Sequence, residues 1–203
     1  PFKGRVYDPC CGSGGMFVQS QRFVKSHGGN PDDISIYGQE SNPTTWRLAT
    51  MNLAIHGFSA DLGNGYADTF DNDQFPEREF DFILANPPFN DKDWGGDQYI
   101  DDPRWTFGVP PESNANYAWL QHIISKLNDQ GYAGVILGSS STSARGYELS
   151  IRKNIIDNGH VLSIIKLPGK IFVNSPSTLT SIWILSKNVH IKKNILLIDA
   201  SNY

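Results

Sequence analysis

The sequence is poor in cysteine: its 203 residues include only two, Cys10 and Cys11, and these are adjacent. Neighbouring cysteines rarely bridge each other, and this pair lacks the spacing of a zinc or redox site. The five histidines are scattered, without a ligand spacing such as His-Glu-x-x-His, so we expect no metal. This cysteine usage is typical of a reducing compartment, which predicts a cytoplasmic protein.

Long apolar runs are also absent. No stretch approaches the roughly 18 apolar residues that a membrane span needs, and no signal peptide is visible, so we expect no membrane contact. An excess of positive charge is missing too: the formal net charge is -4, which counts against nucleic-acid binding by this chain alone. A hydrophobic content of 39% and an aromatic content of 12% fit one globular α/β domain over residues 1–203.

What the sequence does contain is a buried strand that ends abruptly. An apolar run over residues 80–85 is followed by Asn86, Pro87, Pro88 and Phe89. Two consecutive prolines donate no ladder hydrogen bonds and stiffen the backbone, so the strand must end there. In open α/β sheets, ligands bind at the carboxyl ends of the strands.

An amide, two prolines and an aromatic ring together form a candidate clamp for a planar aromatic amine. The Asn86 side chain and a proline carbonyl are acceptors for the two hydrogens of an –NH₂ group, and Phe89 can stack on the heterocycle that carries it. Stacking of a base on an aromatic side chain is worth about 1–3 kcal/mol. Taken alone, this stretch fits a strand-ending turn with a core phenylalanine equally well.

The first predicted strand runs into a glycine-rich loop at residues 8–15, and a helix is predicted from Met16 to about Ser26. Strand, glycine loop and helix form the first βα turn of a nucleotide-binding fold. The spacing is not Gly-x-Gly-x-x-Gly and no P-loop lysine follows, so pyrophosphate binding is disfavoured. Asp8, which opens the loop, suits a cation or an amine better than a phosphate. A bland glycine-rich turn is the alternative for this loop alone.

Two further strand ends carry acids. A strand over residues 34–40 ends in Glu40, where an acid typically accepts hydrogen bonds from ribose hydroxyls, although a solvated glutamate at a helix start is the alternative. A helix is predicted from Asn42-Pro43. A third, poorly patterned strand at residues 61–68 would close with Asp68. A glycine turn and two acids on successive strand ends indicate an adenosine site without phosphates.

The second half is predicted to contain a long irregular segment at residues 91–112, followed by alternating helices and strands. Because long loops beside active sites are usually functional or disordered, we predict a mobile loop that orders over the target, and a disordered linker without a role is the alternative. The predicted helices cover residues 116–127 and 148–158, and the predicted strands cover residues 134–137, 161–167, 179–186 (antiparallel) and 195–199.

These motifs together resemble those of S-adenosylmethionine-dependent adenine-N6 DNA methyltransferases, and especially the modification (M) subunit of type I restriction–modification systems. The resemblance covers nearly the whole chain and is carried by residues 8–15, 38–40, 52–57, 86–89, 102–105, 108–111 and 114–122. It implies a Rossmann-like class I S-adenosylmethionine-dependent methyltransferase fold, with a mostly parallel seven-stranded sheet, one antiparallel strand and flanking helices.

By that resemblance, the target amine is bound by Asn86 and the Pro87 carbonyl, beside Pro88, and Phe89 stacks on a flipped-out adenine. Glu40 binds the cofactor's ribose and Asp68 its adenine amine, while the methionine part lies against the glycine loop. The implied residues of that loop are Asp8, Cys11, Gly12, Ser13, Gly14 and Gly15. The implied cofactor is S-adenosylmethionine, with S-adenosylhomocysteine as product, and Lys170 to Phe172 are predicted near the target-base pocket.

The implied partners are double-stranded DNA, a specificity (S) subunit, a second M subunit and a restriction (R) subunit. A complete M subunit has a helical N-terminal domain and C-terminal elements that bind the S subunit, so we expect this chain to be its catalytic core. Two alternatives stay open. One is a methyltransferase for another planar amine, such as a protein glutamine or an RNA guanine, and the other is a non-catalytic cofactor-binding subunit.

Overall fold

The computed structural model describes residues 3–169, 171, 178–188 and 194–202. The chain forms two compact units, residues 1–85 and residues 86–203, and each has its own strands and helices. Lys170 and Phe172, which were predicted near the target base, lie outside the described residues. Within the described part of the chain, no helix has the length and apolar character needed to cross a bilayer.

The first unit contains four parallel strands in the order β3-β2-β1-β4. Parallel neighbours need crossover connections, and helices supply two of them. Since all four strands run the same way, their carboxyl ends lie at one edge of the sheet. The elements are β1 (Gly4–Asp8), α1 (Gly15–Ser26), β2 (Ile34–Gly38), α2 (Pro43–Ile55), β3 (Ala60–Asp61) and β4 (Phe80–Ala85).

Alternation along β1 and β2 explains how this sheet is covered on both faces. Val6 and Ile36 belong to an apolar cluster with Phe17 of α1 and Leu53 of α2. The next residue of β1, Tyr7, points the other way and stacks on Phe80 with ring centroids 4.3 Å apart. Successive side chains of a strand face opposite sides, so β1 contributes to both layers of the core.

The third strand is shorter than the sequence predicted. Only Ala60–Asp61 pairs with β2, so the predicted strand over residues 61–68 is wrong. The Asp61 carboxylate accepts the backbone N–H of Gly63 at 3.1 Å, and this local turn removes the following residues from the ladder. Asp68 therefore lies in a turn and does not close a strand.

The second unit is built around one antiparallel strand. Strand β7 runs antiparallel to both of its neighbours, β5 and β6, and β8 lies parallel to β6. The expected single antiparallel strand is thus confirmed, and the described residues contain eight strands in all, the last being the additional strand predicted at residues 195–199. The elements are α3 (Asn116–Lys126), β5 (Leu127–Gly138), α4 (Ser140–Ser143), α5 (Tyr147–Asp157), β6 (Val161–Lys166), β7 (Thr180–Ser186) and β8 (Leu196–Asp199).

Helix α3 is buried on nearly every side. The segment over residues 91–112 covers one of these sides. Gln121 accepts the backbone N–H of Phe107 at 2.8 Å and donates to the Gly108 carbonyl at 2.9 Å. Gln121 can be buried because this segment satisfies its amide, which apolar periodicity cannot indicate.

The segment over residues 91–112 has a small aromatic core of its own. Trp94 and Trp105 are both buried and meet edge to face, with ring centroids 6.0 Å apart. The indole of Trp94 donates to the Pro111 carbonyl at 3.2 Å, and that of Trp105 donates to the Tyr99 carbonyl at 2.6 Å. The segment is irregular, as predicted, apart from a 3₁₀ turn over Gly96–Tyr99, and it is internally packed.

Candidate functional site

The glycine-rich loop of the first unit is tied to the end of β2 through the backbone of Gln39. The Gln39 N–H donates to the Asp8 carbonyl at 3.0 Å, and the Cys11 N–H donates to the Gln39 carbonyl at 2.9 Å. These two bonds extend the β1–β2 pairing past the ends of the strands. The loop therefore leaves the sheet edge in a defined direction.

Glu40 reaches across to this loop. One carboxylate oxygen accepts the Gly12 N–H at 3.0 Å, and the other accepts the Asn42 N–H at 2.8 Å. The structure thus brings together the predicted ribose-binding acid and the predicted methionine-binding loop. A carboxylate with two fixed backbone donors is held rigidly, and each oxygen has a further lone pair for a ligand.

Asp8 is almost fully buried at the base of the loop. Burial, with the nearby charge of Glu40, raises its pKa to about 7, although the Cys10 N–H donates to the carboxylate at 3.0 Å. An acid in this state gains most from a cationic neighbour, because the cation offsets the lost hydration. Burial also raises the pKa of the Cys11 thiol, so that side chain is a neutral wall of the loop and not a nucleophile.

The glycines of the loop differ in what they permit. Gly12 and Gly14 have φ values of +55° and +78°, a conformation that side chains disfavour. Gly15 has ordinary φ, and a Cβ built there meets nothing within 4 Å. Ser13 is exposed, and its carbonyl accepts a hydrogen bond from Asn52 of α2 at 2.8 Å. The exposed side of the loop at Ser13 and Gly15 is therefore open to a close-fitting ligand.

Asp68 lies in a turn over residues 67–74, and hydrogen bonds join this turn to Glu40 and to the glycine-rich loop. The Ala67 N–H donates to the Glu40 carbonyl at 2.9 Å, and the Thr69 hydroxyl donates to the Pro9 carbonyl at 2.5 Å. Asp68 is exposed, and its Oδ1 caps the N–H groups of Phe70 and Asp71. These links join the turn that carries Asp68 to Glu40 and to the glycine loop, although Asp68 is not the end of a strand.

These groups suit an adenosine with a cationic amino-acid tail. Two acids beside the glycine loop disfavour phosphate and favour a cation, a ribose diol and an amine. The open backbone at Gly15 leaves room for the ligand against the loop. The chemistry of the donor set therefore fits S-adenosylmethionine. Within the described residues, no group of three or more His, Cys, Asp or Glu side chains could hold a metal ion.

The Asn86–Phe89 motif opens the second unit, directly after β4. Asn86 and Pro88 are exposed, Pro87 is buried, and Phe89 is half-buried. An exposed amide held between a strand end and two rigid residues remains available to a ligand. The assigned roles of Asn86 to Phe89 rest on this local geometry and on the resemblance, and they stay predictions.

The residue after this motif, Asn90, is one that sequence reasoning missed. It has φ of +53°, and among the described residues no other non-glycine residue has positive φ. Its side-chain oxygen accepts hydrogen bonds from Asn116 at 2.9 Å and from the Ser140 hydroxyl at 2.6 Å. An asparagine that follows a Pro-Pro turn was the available signal, because asparagine tolerates this conformation better than other side chains do.

The fold and the glycine-loop site place the chain among the class I S-adenosylmethionine-dependent methyltransferases. A Listeria monocytogenes structure assigned to that class matches all of this chain and 60% of its own, with a TM-score of 0.76 at 19% identity. That likeness shows the shared fold.

The chain belongs to the N-6 DNA Methylase family, whose sequence model matches residues 1–203. It is 48% identical, over 201 residues, to the type I restriction enzyme HindI methylase subunit of Haemophilus influenzae. The crystal structure of a type I restriction–modification methyltransferase subunit from Streptococcus thermophilus is also similar, with a TM-score of 0.85 at 32% identity. The chain covers 45% of the first relative and 42% of the second, so it spans less than half of each.

Proposed function

We propose that this chain carries the catalytic centre of a DNA methyltransferase that transfers a methyl group from S-adenosylmethionine to the N6 amine of adenine. The observation that carries the proposal is the intact Asn86–Phe89 motif in a member of the N-6 DNA Methylase family. A subunit that only bound cofactor would have no use for two amine acceptors beside an aromatic ring.

The cofactor residues are proposed to act by position and charge. Asp8 faces the cationic methionine part at the backbone of residues 11–15, Glu40 accepts from the ribose hydroxyls, and Asp68 accepts from the adenine amine. When bound, S-adenosylmethionine supplies an electrophilic methyl group on a sulfonium. Support comes from the buried Asp8 carboxyl and from the hydrogen bond between Glu40 and Gly12.

The target residues are proposed to orient the amine. A base inside a duplex is not accessible at its pairing edge, so it must leave the stack. The Asn86 side chain and the Pro87 carbonyl accept hydrogen bonds from the two N–H groups of the extruded adenine's amine, and Phe89 stacks on its ring. Hydrogen bonds to fixed acceptors strengthen as positive charge grows on nitrogen, which lowers the barrier without a nucleophilic side chain.

The partners are proposed from the relatives, which are named as subunits of type I restriction enzymes. Double-stranded DNA is the substrate, an S subunit reads the sequence, and a second M subunit and an R subunit complete the assembly in the cytoplasm. The net charge of -4 is consistent with partners supplying most phosphate contacts. The segment over residues 91–112 is proposed to close over the flipped adenine.

The test is methyl transfer to DNA by the protein assembled with its specificity partner. Nucleosides from the product are analysed by mass spectrometry for N6-methyladenine. Asn86→Ala should reduce the rate at least a hundredfold while S-adenosylhomocysteine binding stays within about threefold of wild type. The exposed Asn202→Ala variant is the matched control and should retain full activity.

The same assay separates the alternatives. Methyl transfer to a protein glutamine or an RNA guanine, with none to DNA, would move the assignment to another planar amine. Cofactor binding without methyl transfer to DNA, protein glutamine or RNA guanine would support the alternative of a non-catalytic cofactor-binding subunit. Full methylation of DNA by Asn86→Ala would refute the proposed mechanism.

A further inference from the structure

Gln39 is a fully buried glutamine directly after β2, between Gly38 and Glu40, the acid proposed to bind the ribose. Its backbone already joins the Asp8 and Cys11 positions of the glycine loop. Its side chain does something separate: it reaches to the turn over residues 67–74, which carries Asp68. Nothing in the proposed function assigns this side chain a role.

The Gln39 amide closes that turn at three points. Its nitrogen donates to the Asn72 carbonyl at 2.8 Å and to the Ala67 carbonyl at 3.4 Å. Its oxygen accepts the Gln74 N–H at 3.1 Å. Two carbonyls and one N–H as partners fix which end of the amide is nitrogen, so the orientation follows from the backbone.

Asp68 lies between the two carbonyls that the amide holds. Its own carbonyl accepts the Asn72 N–H at 2.8 Å, while its Oδ1 caps the N–H groups of Phe70 and Asp71. Both of these caps use Oδ1, so Oδ2 keeps acceptor capacity for a ligand amine. The direction of the carboxylate depends on the turn, and the turn is held from inside by Gln39.

We infer that Gln39 is a positioning residue for the adenine end of the cofactor: its side chain sets the preference for a 6-amino purine by holding Asp68. The inference rests on the proposed function, in which Asp68 accepts from the adenine amine. Glu40 follows Gln39 directly and holds the glycine loop through Gly12. Gln39, the residue directly after β2, thus links the ribose acid, the methionine loop and the adenine acid.

The test compares S-adenosylhomocysteine with an analogue that has hydrogen in place of the adenine 6-amino group. Both are titrated calorimetrically into the full protein and its variants. Wild type should prefer the amino form by about ten- to hundredfold, the usual worth of a hydrogen bond to a charged acceptor. Gln39→Leu should bring the ratio of the two dissociation constants to within about threefold of one.

Controls separate positioning from general loosening. Gln121→Leu removes a comparable buried amide that holds the 107–108 backbone of the second unit, and it should leave the ratio as in wild type. In an Asp68→Ala background, adding Gln39→Leu should change the ratio no further. If Gln39→Leu does not fold, Gln39→Glu replaces it, and its ratio should recover as the pH is lowered from 8 to 6, because protonation restores a donor.

A ratio in Gln39→Leu or Gln39→Glu that matches wild type within twofold at pH 8 would overturn the inference. So would a wild type that binds both compounds equally, which would leave cofactor binding intact and remove the role of Asp68. A wild type that binds neither compound would overturn the proposed function and this inference together. These three results are distinct in the same titration.

Discussion

Asn90 and Asn116 hold each other by two hydrogen bonds of opposite direction. The Asn90 N–H donates to the Asn116 side-chain oxygen at 3.1 Å, and the Asn116 amide donates to the Asn90 side-chain oxygen at 2.9 Å. Asn116 is fully buried at the start of α3, so it is a fixed support. The pair sets the backbone direction of the chain immediately after Phe89.

This relationship makes Asn90→Ala and Asn90→Gly an informative pair. Both remove the side-chain hydrogen bonds, but only alanine is strained at φ of +53°, by about 1–2 kcal/mol. Asn90→Ala should therefore unfold at lower urea concentration than Asn90→Gly, with a difference of about 1 kcal/mol in the free energy of unfolding. Equal stabilities would show that the left-handed conformation is not imposed by the surroundings.

Cofactor affinity should rise with pH through neutrality. Burial raises the pKa of Asp8 to about 7, and the ionised form attracts the α-ammonium group that S-adenosylmethionine and S-adenosylhomocysteine share. Binding of S-adenosylhomocysteine should therefore strengthen between pH 6 and pH 8, and near pH 7 it should release protons, measurable by calorimetry in buffers of different ionisation enthalpy. Asp8→Asn should bind more weakly, without this pH dependence. A wild type whose affinity is flat over this range would contradict the assignment.

The same carboxyl predicts an effect on stability without cofactor. The folded state holds the Asp8 proton up to a pH of about 7, whereas the unfolded chain releases it near pH 4. The contribution of Asp8 to stability thus falls as pH rises from about 4 to about 7. At pH 8, Asp8→Asn should be more stable than wild type by roughly 1–3 kcal/mol, and denaturant melts at pH 5 and pH 8 measure the difference. Identical differences at both pH values would count against the raised pKa.

Gly14 and Gly15 should separate folding from ligand binding. An alanine at Gly14 would be strained at φ of +78° and would bring its Cβ to 3.4 Å from Leu53, so Gly14→Ala should lower the melting temperature. Gly15→Ala adds a methyl group in open space at the first turn of α1 and should leave the melting temperature unchanged or higher. Its affinity for S-adenosylhomocysteine should still fall about tenfold or more. Unchanged affinity would place the cofactor elsewhere.

His122 should make the protein sensitive to mild acid. Burial, with the positive charges of Arg104 and Lys126, holds the pKa of His122 well below its ordinary value. Arg104 donates to its Nδ1 at 3.2 Å, so the neutral ring carries its proton on Nε2. Because only the unfolded chain takes up this proton, the contribution of His122 to stability is complete above about pH 6.5 and is lost as pH falls.

His122→Asn keeps an acceptor for Arg104 and removes the titration. Between pH 7 and pH 5 the wild type should lose roughly 1–2 kcal/mol more of its free energy of unfolding than this variant does. Chemical denaturation at the two pH values measures this difference directly. Parallel losses in both proteins would show that folding does not lower the pKa of His122.

Much of the fold was predictable because apolar periodicity and glycine punctuation are local signals. Pro43 after an asparagine starts α2, where the Asn42 side chain caps two N–H groups, and the Pro87-Pro88 pair lies just past the end of β4. The error at residues 61–68 arose where those signals were weak. There the strand length was decided by the side-chain turn at Asp61 and by the hydrogen bond from the Gln39 side chain to the turn over residues 67–74.

The sequence by itself determined which chemistry the protein has available. Residue types at strand ends are a property of the chain, so Asp8, Glu40 and Asn86 follow from the sequence alone, as does the family resemblance. Only the tertiary structure decided how those groups are held. The sequence does not show whether a side-chain amide is hydrogen-bonded to water or to other parts of the protein. The roles of Gln39 and Asn116 depend on contacts between residues 26 to 35 positions apart. Long-range hydrogen bonds to the backbone leave no periodic trace in the sequence, and this is why the supports of the site emerged only from the folded chain.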